Sequence, residues 1–535
     1  MMSRALYYGD NLAVLRESIK DASVDLIYLD PPFNSNADYN VLFRGATGEQ
    51  SPAQIEAFVD TWHWNDSAEL AVDDVVNSGN QYAANLLIAM RKFLGDNDMM
   101  AYLAMMAVRL IELKRVLKDT GSLYLHCDPT ASHYLKLLLD AIFDKLHFKN
   151  EIIWKRTTPK GYAYSRFPKS HDVLLAYDKG ETATWNLLFT SYDEEYVKSH
   201  YSNIEPKTGR RFQLDNTLNP NPDRPNLTYE WNGHTRVWRW TRERMQRMHD
   251  EGRLVYTSSG MPRYKRYLDE MPGTPIIDVW TDIPPINSQA RERLGYPTQK
   301  PLALLERIIA ASSNPGDVIL DPFCGCGTAV HAAEKLGRAW IGIDITHLAI
   351  SLIERRLKDA FPGLHFDVHG TPKDLGGARD LALRDKYQFQ WWAVSLVEAQ
   401  PFGGKKKGAD GGIDGVIYFK QDKKTTRRVL VSVKGGENIN VGMIRDLKGV
   451  LERENEPLAL FITLAKPTQP MLTEAASAGF HDLHGKKIPR IQIATIEDLL
   501  EGKRPLLPST VDAAAAFKAA PREQAEDDQP ELFED

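Results

Sequence analysis

The sequence predicts an α/β protein with a parallel sheet, followed by a second and smaller α/β unit. Short apolar runs, typical of buried strands, alternate along the chain with amphipathic stretches, typical of helices, and this alternation favours a parallel sheet. Two of the predicted strands end in a carboxylate, at Asp30 and at Asp344. Open α/β sheets bind their ligands at the carboxyl ends of strands, so the same pattern predicts a functional site there.

The size and composition of the chain limit its class. Its 535 residues are too many for one ordinary core and predict two or three folded units. The three cysteines, Cys127, Cys324 and Cys326, do not suggest a disulfide framework and fit a reducing cytoplasm, where we expect the protein to work. We find no apolar run of about 20 residues and no start typical of a signal peptide, so we expect no membrane partner.

Charge is distributed unevenly along the chain. The formal net charge is −6, which by itself argues weakly against binding to nucleic acid. However, residues 236–266 contain nine Arg and Lys residues against three acidic ones, whereas acidic residues dominate 523–535. A local basic face can hold phosphates whatever the sum over the whole chain is.

The first 360 residues contain the larger α/β pattern, which is interrupted once. Before the interruption we predict strands at 5–8, 24–29, 121–126 and 152–154, and helices at 12–19, 99–117 and 133–143. From about 185 to 285 the periodicity weakens and aromatic, Arg, Pro and Asn residues dominate, which predicts an irregular, substrate-facing insertion. The pattern then returns, with strands at 317–320 and 340–343 and helices at 302–311, 328–336 and 349–357.

A second α/β unit follows a linker at 361–384. Between 385 and 505 we predict strands at 415–419, 429–433 and 459–463, and helices at 388–397, 441–453 and 471–478. Residues 506–535 include the acidic stretch, and we expect them to form a disordered tail.

The most specific motif is a strand, a glycine turn and a helix over residues 317–328. Gly325 and Gly327 allow the backbone to turn tightly and to approach a ligand closely. Asp344 ends the next strand, 17 residues after Gly327, where it is placed to accept hydrogen bonds from ribose hydroxyls. Cys324 and Cys326 have no further metal-binding partner nearby in the sequence, so we interpret them as small packed residues rather than as metal ligands.

This motif resembles the S-adenosylmethionine-binding motif of amino-group DNA methyltransferases, a family with a Rossmann-like fold. The resemblance spans residues 1–360. It implies that S-adenosylmethionine is the cofactor and that the following residues bind it: Asp321, Phe323, Gly325, Gly327, Thr328 and Asp344.

Two further segments extend the resemblance. Residues 296–301 resemble the segment that cradles the methionine end of the cofactor in this family, which implies contacts for Pro297, Thr298 and Lys300. The base-side motif precedes the cofactor motif, as in the beta class. The same order places Asp10 beside the adenine of the cofactor, although Asp10 is equally well explained as the N-cap of the helix that follows.

The base-side motif is Asp30-Pro31-Pro32-Phe33, at the carboxyl end of a predicted strand. An exocyclic amine is conjugated with its ring and is a poor nucleophile. The Asp30 carboxylate and the Pro31 carbonyl can each accept one amine hydrogen, which aims the nitrogen lone pair at the methyl donor. Pro31 and Pro32 stiffen this loop, and Phe33 offers a face on which an extruded base can stack. Positioning and electrostatics then supply most of the acceleration of methyl transfer.

Basic and aromatic residues between the two motifs are our candidates for DNA recognition. Arg and Lys contact phosphates and read guanine, and aromatic side chains stack or wedge where a base has left the duplex. The candidates are Lys155, Arg156, Arg166, Lys169, His171, Arg210, Arg211 and the cluster from Trp231 to Arg266, with Trp238 and Trp240. For each residue the alternative is a solvated loop around a small aromatic core.

The second unit resembles the PD-(D/E)xK nuclease fold, in particular its Mrr-like branch. This resemblance implies that Asp414 is a ligand of Mg²⁺ and that Lys434 is the catalytic lysine. Ser432 departs from the acidic or Gln residue expected two positions before that lysine; Glu398 or Asp410 could compensate. The alternatives are an active nuclease, a nuclease-like module that only binds DNA, and an unrelated α/β domain.

Together these features predict a site-specific DNA methyltransferase that acts on adenine N6 in duplex DNA, in a restriction-modification, host-defence or epigenetic setting. In the family that it resembles, Asp at the position of Asp30 goes mainly with adenine N6, and Ser more often with cytosine N4. The alternatives are a single-chain restriction-modification enzyme with Mg²⁺-dependent nuclease activity, an N4-cytosine methyltransferase, and a DNA-binding regulator with a decayed active site. The expected partner is double-stranded DNA, and a homodimer or a restriction partner subunit stays open.

Overall fold

The computed structural model describes residues 4–32, 38–44, 50–59, 64–157, 167–287, 290–294, 296, 298–402, 412–422, 425–508 and 521–523. Contacts between residues divide the chain into two compact units. One unit contains Met1–Asn186 together with Asp278–Asp535, and the other is the insertion Leu187–Ile277.

Helices and strands alternate through most of the described chain. Before the insertion the elements are β1 (Ala5–Tyr8), α1 (Asn11–Ser18), β2 (Val24–Leu29), β3 (Asp38–Arg44), β4 (Gln50–Val59), α2 (Asp66–Asn77), α3 (Gln81–Leu94), α4 (Asp98–Val116), β5 (Leu117–Cys127), α5 (Ser132–Phe143), β6 (Phe148–Lys155) and β7 (His171–Asp178). Within the insertion they are β8 (Phe189–Thr190), α6 (Glu194–His200), β9 (Asn203–Ile204), β10 (Arg211–Asn216), β11 (Thr228–Trp231), β12 (His234–Val237), α7 (Arg242–Asp250), β13 (Leu254–Tyr256), β14 (Pro262–Tyr267) and β15 (Thr274–Pro275).

The larger unit continues after the insertion and then carries the second α/β region. The next elements are β16 (Val279–Trp280), α8 (Leu302–Ser312), β17 (Val318–Asp321), α9 (Thr328–Lys335), β18 (Ala339–Asp344), α10 (His347–Ala360) and β19 (Asp367–His369). The last are α11 (Leu375–Arg384), α12 (Lys386–Ser395), β20 (Gln400–Pro401), β21 (Gly415–Lys420), β22 (Thr426–Lys434), α13 (Val441–Arg453), β23 (Leu458–Thr463), α14 (Gln469–Ser477), β24 (Phe480–Leu483), β25 (Lys486–Pro489), β26 (Ile491–Thr495) and α15 (Ile496–Leu500).

The principal sheet has nine strands in the order β16-β6-β7-β5-β2-β17-β18-β1-β19. Because β2, β17 and β18 are parallel neighbours, their carboxyl ends lie at one edge of the sheet. Asp30 directly follows β2, and Asp321 and Asp344 end β17 and β18. The fold therefore brings together three carboxylates that are far apart in the sequence.

The predicted α/β class is confirmed, but the expectation of a parallel sheet is wrong for one strand. β7 lies between β5 and β6 and is antiparallel to both. Strand direction depends on the connection and on the place in the sheet, and residue periodicity reports neither of them. The sheet is therefore mixed.

Helices α1 to α5 bury their apolar faces in one continuous core with the strands. Leu29 of β2, Leu87 of α3, Leu110 of α4 and Leu139 of α5 are fully buried in it. β2 is buried along nearly its whole length, which explains its almost unbroken apolar run. Helices α9 and α10 also pack on this sheet.

The insertion is a folded unit rather than the irregular segment that the sequence predicts. It contains a four-stranded antiparallel sheet, β13-β14-β10-β9, and the hairpin β11–β12. Trp231 and Trp238 lie in a core with Met245 and Leu254. Antiparallel strands of two to six residues leave too weak a period to be read from sequence.

The last region of the chain contains a five-stranded sheet, β20-β21-β22-β23-β26. Alternate residues of β22 enter two different cores, because successive side chains of a strand point to opposite faces. Val431 packs with α12 on one face, and Leu430 packs with α13 on the other. This region also contacts the methylase-like part, since the backbone N–H of His347 donates to Gln388 Oε1 at 3.2 Å.

Six residues of the predicted tail are described, 506–508 and 521–523. The Glu523 carboxylate accepts a hydrogen bond from His331 Nε2 at 2.8 Å, on α9. Among the helices of the described residues, none combines the length and apolar composition needed to cross a bilayer.

Candidate active site

A cavity opens at the carboxyl edge of β2, β17 and β18. Its walls come from these strand ends, from the turn between β1 and α1, from α4 and from the segment before α8. The residues lining it include Gly9, Asp10, Asn11, Tyr28, Asp30, Pro32, Arg109, Tyr296, Thr298, Lys300, Asp321, Phe323, Gly325, Cys326, Thr328, Asp344 and Thr346. Most of the residues proposed from the two sequence motifs therefore share one cavity.

Asp30 lines this cavity and is paired with a lysine. Lys300 Nζ forms an ion pair with Asp30 Oδ2, and the two side chains are only 11% and 16% exposed. Lys300 thus contacts the expected catalytic carboxylate, whereas the family resemblance implies a contact with the cofactor. Pro31 is buried and Pro32 lines the cavity. Phe33 lies outside the described residues.

The glycine turn between β17 and α9 has a backbone that only glycine adopts readily. Gly325 and Gly327 have φ values of +50° and +73°. A Cβ atom on Gly327 would lie 2.8 Å from Ile353 Cγ1, and one on Gly325 would lie 3.2 Å from Tyr296 Cε1. The turn is therefore held both by its left-handed backbone and by close packing on both glycines.

Asp344 ties the glycine turn to the end of β18. One of its carboxylate oxygens accepts from the backbone N–H of Gly325 at 2.9 Å, and the other accepts from Thr346 at 2.9 Å. Burial raises the pKa of Asp344 to about 6, although these hydrogen bonds oppose the rise. The carboxylate is thus positioned, and its charge state changes close to neutral pH.

Asp321 is more deeply enclosed than Asp344. Its Oδ1 accepts from the backbone N–H of Phe323 at 3.0 Å. Burial raises the pKa of Asp321 well above its ordinary value, and the charges of Asp30 and Asp344 act in the same direction. Asp321 therefore holds a proton more readily than an exposed carboxylate does, and its hydrogen bond to Phe323 fixes the start of the turn.

Thr328, at the start of α9, is held by a buried arginine. Arg356 donates to Thr328 Oγ1 at 3.1 Å and to the carbonyl of Cys326 at 3.0 Å. Cys324 and Cys326 are both buried, and burial raises the pKa of each thiol. Two packed thiols agree with their interpretation as small residues of a turn. Thr298 also lines the cavity, while Pro297 lies outside the described residues.

Asp10 combines the two roles left open by the sequence. Its Oδ1 accepts from the backbone N–H of Leu12 at 2.7 Å, which makes it the N-cap of α1. Its Oδ2 accepts from Arg109 at 2.9 Å, and the same side chain lines the cavity. A cap therefore does not prevent Asp10 from facing a ligand.

Arg109 and Asn11 are cavity residues that the sequence analysis missed. Arg109 is 4% exposed and donates from Nε to Asn11 Oδ1 at 2.6 Å. Asn11 in turn donates to the carbonyl of Pro322 at 2.8 Å. Arg109 could have been found from its position inside the apolar run of α4. A charged residue is rarely buried without a partner, so such a position predicts a specific contact.

Tyr28 and Tyr296 were also missed. Tyr28 lies two residues before Asp30 on the same strand, and strand periodicity places such residues on one face. That spacing was a usable signal for Tyr28. Tyr296 packs against the glycine turn, and only the folded chain shows this contact.

The expected DNA-reading residues divide into two groups. Trp231 and Trp238 are 8% and 0% exposed, so the expectation that they stack on bases is wrong; they form the core of the insertion. Arg210, Arg253 and Arg266 form ion pairs with acidic residues of the insertion. The exposed arginines of this unit are Arg211, Arg224, Arg236, Arg239, Arg242, Arg244, Arg247 and Arg263.

Outside the insertion, Lys155 and Lys169 are exposed, and His171 begins β7. Arg156 Nε lies 3.1 Å from Asp172 Oδ1, so this arginine contacts a buried carboxylate. Arg166 lies outside the described residues.

The second α/β region places Asp414 and Lys434 at the edge of β21 and β22, but without the surroundings of a metal site. Asp414 Oδ1 accepts from Gln390 at 3.0 Å, and Oδ2 accepts from the backbone N–H of Val433 at 2.6 Å. Ser432 also donates to Oδ2, at 3.4 Å. In the part of the chain that the structure describes, no group of three or more His, Cys, Asp and Glu residues could hold a metal ion. The described residues therefore do not by themselves complete the set of carboxylates expected around Mg²⁺; Asp410 lies outside the described residues.

Comparisons with known proteins agree with this geometry. The chain is 29% identical over 361 residues to the type II methyltransferase M.EcaI of Enterobacter cloacae, covering 66% of this chain and 70% of the relative. It is 27% identical to the Mod subunit of the type III restriction-modification enzyme StyLTI of Salmonella typhimurium, over 61% of this chain and 49% of that protein. It is 26% identical to the DNA adenine methyltransferase YhdJ of Escherichia coli, over 66% of this chain and 83% of that protein.

Two family models match separate parts of the chain. A restriction endonuclease model of the Mrr type matches residues 383–499. A DNA methylase model matches residues 24–355, which is more than half of the chain. The chain therefore belongs to the N6/N4 family of DNA methylases and carries a restriction-endonuclease-like domain of the Mrr type after its methylase region.

Proposed function

We propose that this DNA methyltransferase transfers a methyl group from S-adenosylmethionine to N6 of adenine in duplex DNA. The observation that carries the proposal is the shared cavity of Asp30 and Asp344, which end neighbouring parts of one sheet. One carboxylate is suited to an amine and the other to a ribose, and the glycine turn lies between them.

The residues of the cavity fit S-adenosylmethionine. Asp344 presents a carboxylate to the ribose hydroxyls, and the turn at Gly325 and Gly327 lets the ligand approach the backbone. Asp10 and Thr298 line the same cavity, and we assign Asp10 to the adenine edge and Thr298 to the methionine end of the cofactor. When bound, the cofactor supplies an electrophilic methyl group on a sulfonium centre.

The chain contributes positioning and proton acceptance to the transfer. Asp30 accepts one hydrogen of the target amine, and the Pro31 carbonyl accepts the other. The nitrogen lone pair then points at the methyl group, and the nitrogen–carbon bond forms as the carbon–sulfur bond breaks. Lys300 holds the Asp30 carboxylate in place before the base arrives.

Adenine is favoured over cytosine by two observations. Asp30, rather than a serine, stands first in the base-side motif. The relative YhdJ is named a DNA adenine methyltransferase and aligns over 83% of its length. Methylation of cytosine N4 is the outcome that would replace this part of the proposal.

We assign target recognition to the insertion at about 185–285, within a methyltransferase domain at 1–360. Ion pairs such as Arg210–Asp269 are internal, whereas Arg244 and Arg247 project from α7 into solvent. Arg247→Ala should reduce the slope of log affinity against log salt by about 1 if this side chain contacts a phosphate. Arg210→Ala is the matched control and should leave that slope unchanged; equal slopes for both variants would move the DNA contact elsewhere.

For the domain at about 385–505 we propose DNA binding without cleavage, in a restriction-modification setting. Asp414 is engaged by Gln390 and by the backbone of Val433, and Ser432 stands where a metal ligand is expected. The test is incubation of the full chain with DNA and Mg²⁺. Intact DNA supports the proposal, and cleavage that Asp414→Ala abolishes would establish a nuclease instead.

The methylase proposal is tested by incubating the full chain with duplex DNA and tritiated S-adenosylmethionine, followed by digestion to nucleosides. We expect label in N6-methyladenine, and none with Asp30→Asn. Label in N4-methylcytosine would overturn the choice of base, and absence of label would overturn the activity. Modification-sensitive sequencing of the product then identifies the recognition sequence.

A further inference from the structure

Three buried polar side chains form a continuous hydrogen-bonded chain beneath the proposed active site. Tyr28 Oη lies 2.9 Å from His126 Nδ1, and His126 Nε2 lies 3.3 Å from Asp172 Oδ2. The three residues come from the neighbouring strands β2, β5 and β7 and are 2%, 0% and 2% exposed. Burial of three hydrogen-bonded polar side chains costs free energy, so their presence needs either a structural or a chemical explanation.

The direction of these hydrogen bonds follows from the chemistry of the groups. An ionised carboxylate can only accept, so His126 carries its proton on Nε2 and donates to Asp172. Nδ1 is then the acceptor, and the Tyr28 hydroxyl donates to it. A hydroxyl that donates keeps lone pairs with which it can accept, and Tyr28 lines the cavity that also contains Asp30.

Asp172 supplies a negative charge at one end of this hydrogen-bonded network. Burial alone would raise the pKa of Asp172, but the hydrogen bond from His126 and the positive charges of His126, Lys300 and Arg156 lower it, so this carboxylate is ionised. An ionised Asp172 stabilises an imidazolium at His126. Burial raises the pKa of Tyr28 well above its ordinary value, so its hydroxyl keeps a proton except when it passes one on.

An aromatic ring and several charged or titratable groups surround Tyr28, His126 and Asp172. The ring of Trp154 contacts His126 edge-on, with 5.9 Å between centroids. The titratable and charged groups that act on the three residues are Asp30, Asp321, Cys326, Cys127, Lys300 and Arg156.

Methyl transfer to an amine releases one proton. The nitrogen lone pair forms the bond to carbon, the electron pair of the broken carbon–sulfur bond stays on sulfur, and the nitrogen is left with one hydrogen too many. Asp30 takes this proton first. If the proton stays there, Asp30 is neutral and no longer attracts the amine or Lys300.

We propose that Tyr28, His126 and Asp172 form a proton-accepting chain for the methylated amine, with His126 as the store. The Tyr28 oxygen receives the proton from the side of the cavity while its own proton moves to Nδ1 of His126. The result is an imidazolium paired with Asp172, a neutral Tyr28 and an ionised Asp30. When the products have left, the same path returns the proton to water in the open cavity.

This inference rests on the proposed amine methylation, but it holds for adenine and cytosine alike. A purely structural network would only hold β2, β5 and β7 together. Its loss would lower stability without changing where the proton goes after methyl transfer. The two explanations therefore differ in the time at which the proton reaches solvent.

The test uses Tyr28→Phe, which removes only the hydroxyl, in the full chain. Tyr124→Phe is the matched control, because Tyr124 pairs with Tyr28 in the sheet, is also buried and bonds to Ser312 at 2.7 Å instead. Single-turnover methylation of DNA is followed from pH 6 to 9 with tritiated cofactor, and proton release is followed with an indicator dye in weak buffer.

For the parent protein and Tyr124→Phe we expect proton release to lag behind methyl transfer. Tyr28→Phe should release the proton together with methyl transfer and slow the single turnover by about 10² or more, in the range of general base catalysis. Its cofactor affinity and melting temperature should match those of the control.

An unchanged lag in Tyr28→Phe would overturn the inference, because the proton would then not pass through the Tyr28 hydroxyl. If Tyr28→Phe folds poorly, His126→Asn provides the second measurement, since it keeps a polar group near Nδ1 but cannot store a proton. Absence of methylation by the parent protein would instead contradict the proposed function.

Discussion

Lys300 forms an ion pair with Asp30, although 270 residues separate them in the chain. Both side chains are mostly buried, so their mutual attraction is screened little by solvent. Lys300 precedes α8, and Asp30 follows β2, so the pair joins the two halves of the methylase region across the insertion. The proposed acceptor of the amine hydrogen is therefore held by a residue that the sequence motif associates with the cofactor.

We expect Lys300→Met to reduce the single-turnover rate of methylation by about 10-fold or more, while S-adenosylmethionine affinity changes less. A buried carboxylate without its opposite charge is poorly held and less often ionised. The rate should be measured at saturating cofactor, and affinity by calorimetry. Lys300→Arg, which keeps the charge, should retain most of the rate. A large loss of cofactor affinity at an unchanged rate would show that Lys300 acts on the cofactor.

The affinity for S-adenosylmethionine should weaken as the pH falls below about 6. Burial raises the pKa of Asp344 to about 6, and ribose hydroxyls donate best to its ionised form. Binding should therefore lower this pKa and release protons near pH 6, but none at pH 8, where Asp344 is ionised in both states. Titration calorimetry in two buffers of different ionisation enthalpy measures the release.

Asp344→Asn provides the control for this pH dependence. The amide cannot be ionised, so proton release at pH 6 should disappear and the affinity should be weaker at every pH. Proton release that persists in the variant would assign the titration to another carboxylate of the cavity, such as Asp321.

Replacement of Gly327 by alanine should disrupt the turn of the cofactor site. The new Cβ would lie 2.8 Å from Ile353 in a backbone with φ +73°. The left-handed conformation costs about 1–2 kcal/mol for a residue with a Cβ, and the contact adds to this cost. Denaturant unfolding and cofactor titration measure the two effects, and we expect at least a 10-fold loss of affinity.

Gly337→Ala separates strain from contact, because Gly337 has φ +71° but no atom within 4 Å of an added Cβ. The free energy of unfolding of Gly337→Ala should fall only by the cost of the left-handed backbone. Equal losses of stability and of cofactor affinity in both variants would show that packing against Ile353 has no role.

The Glu523 carboxylate should stabilise the methylase region through His331. Arg356 donates to His331 Nδ1 at 3.1 Å, so the proton of His331 lies on Nε2 and points at Glu523. Burial lowers the pKa of His331 to about 2, so this histidine stays neutral. Glu523→Ala leaves a buried N–H without its acceptor, which costs about 1–3 kcal/mol and should lower the melting temperature.

Glu523→Gln keeps an acceptor oxygen and should retain most of this stability. Arg522→Ala, at an exposed neighbour, should have no effect. A melting temperature that is the same for Glu523→Ala and the parent protein would mean that the contact with His331 contributes nothing in solution.

Several parts of the site could be predicted because they are local in sequence. The strand ending at Asp30 and the glycine turn at 325–327 each lie within a dozen residues, and strand periodicity and glycine conformation are local properties. Tyr28 could have been predicted in the same way, since it lies on β2 two residues before Asp30, a spacing that places both side chains on one face. The burial of Trp238 was not, because an aromatic residue in a loop-like pattern is equally compatible with a core and with a DNA contact.

The sequence alone determined the α/β class, most of the strands and helices, and the two motifs, because periodicity and turn chemistry act over a few residues. Only the tertiary structure decided the antiparallel direction of β7, the ion pair of Lys300 with Asp30 and the chain from Tyr28 to Asp172. These depend on which strands are neighbours in the sheet. Strand order is set by the packing of the whole chain, so residues as distant as 30 and 300 acquire their roles only when it folds.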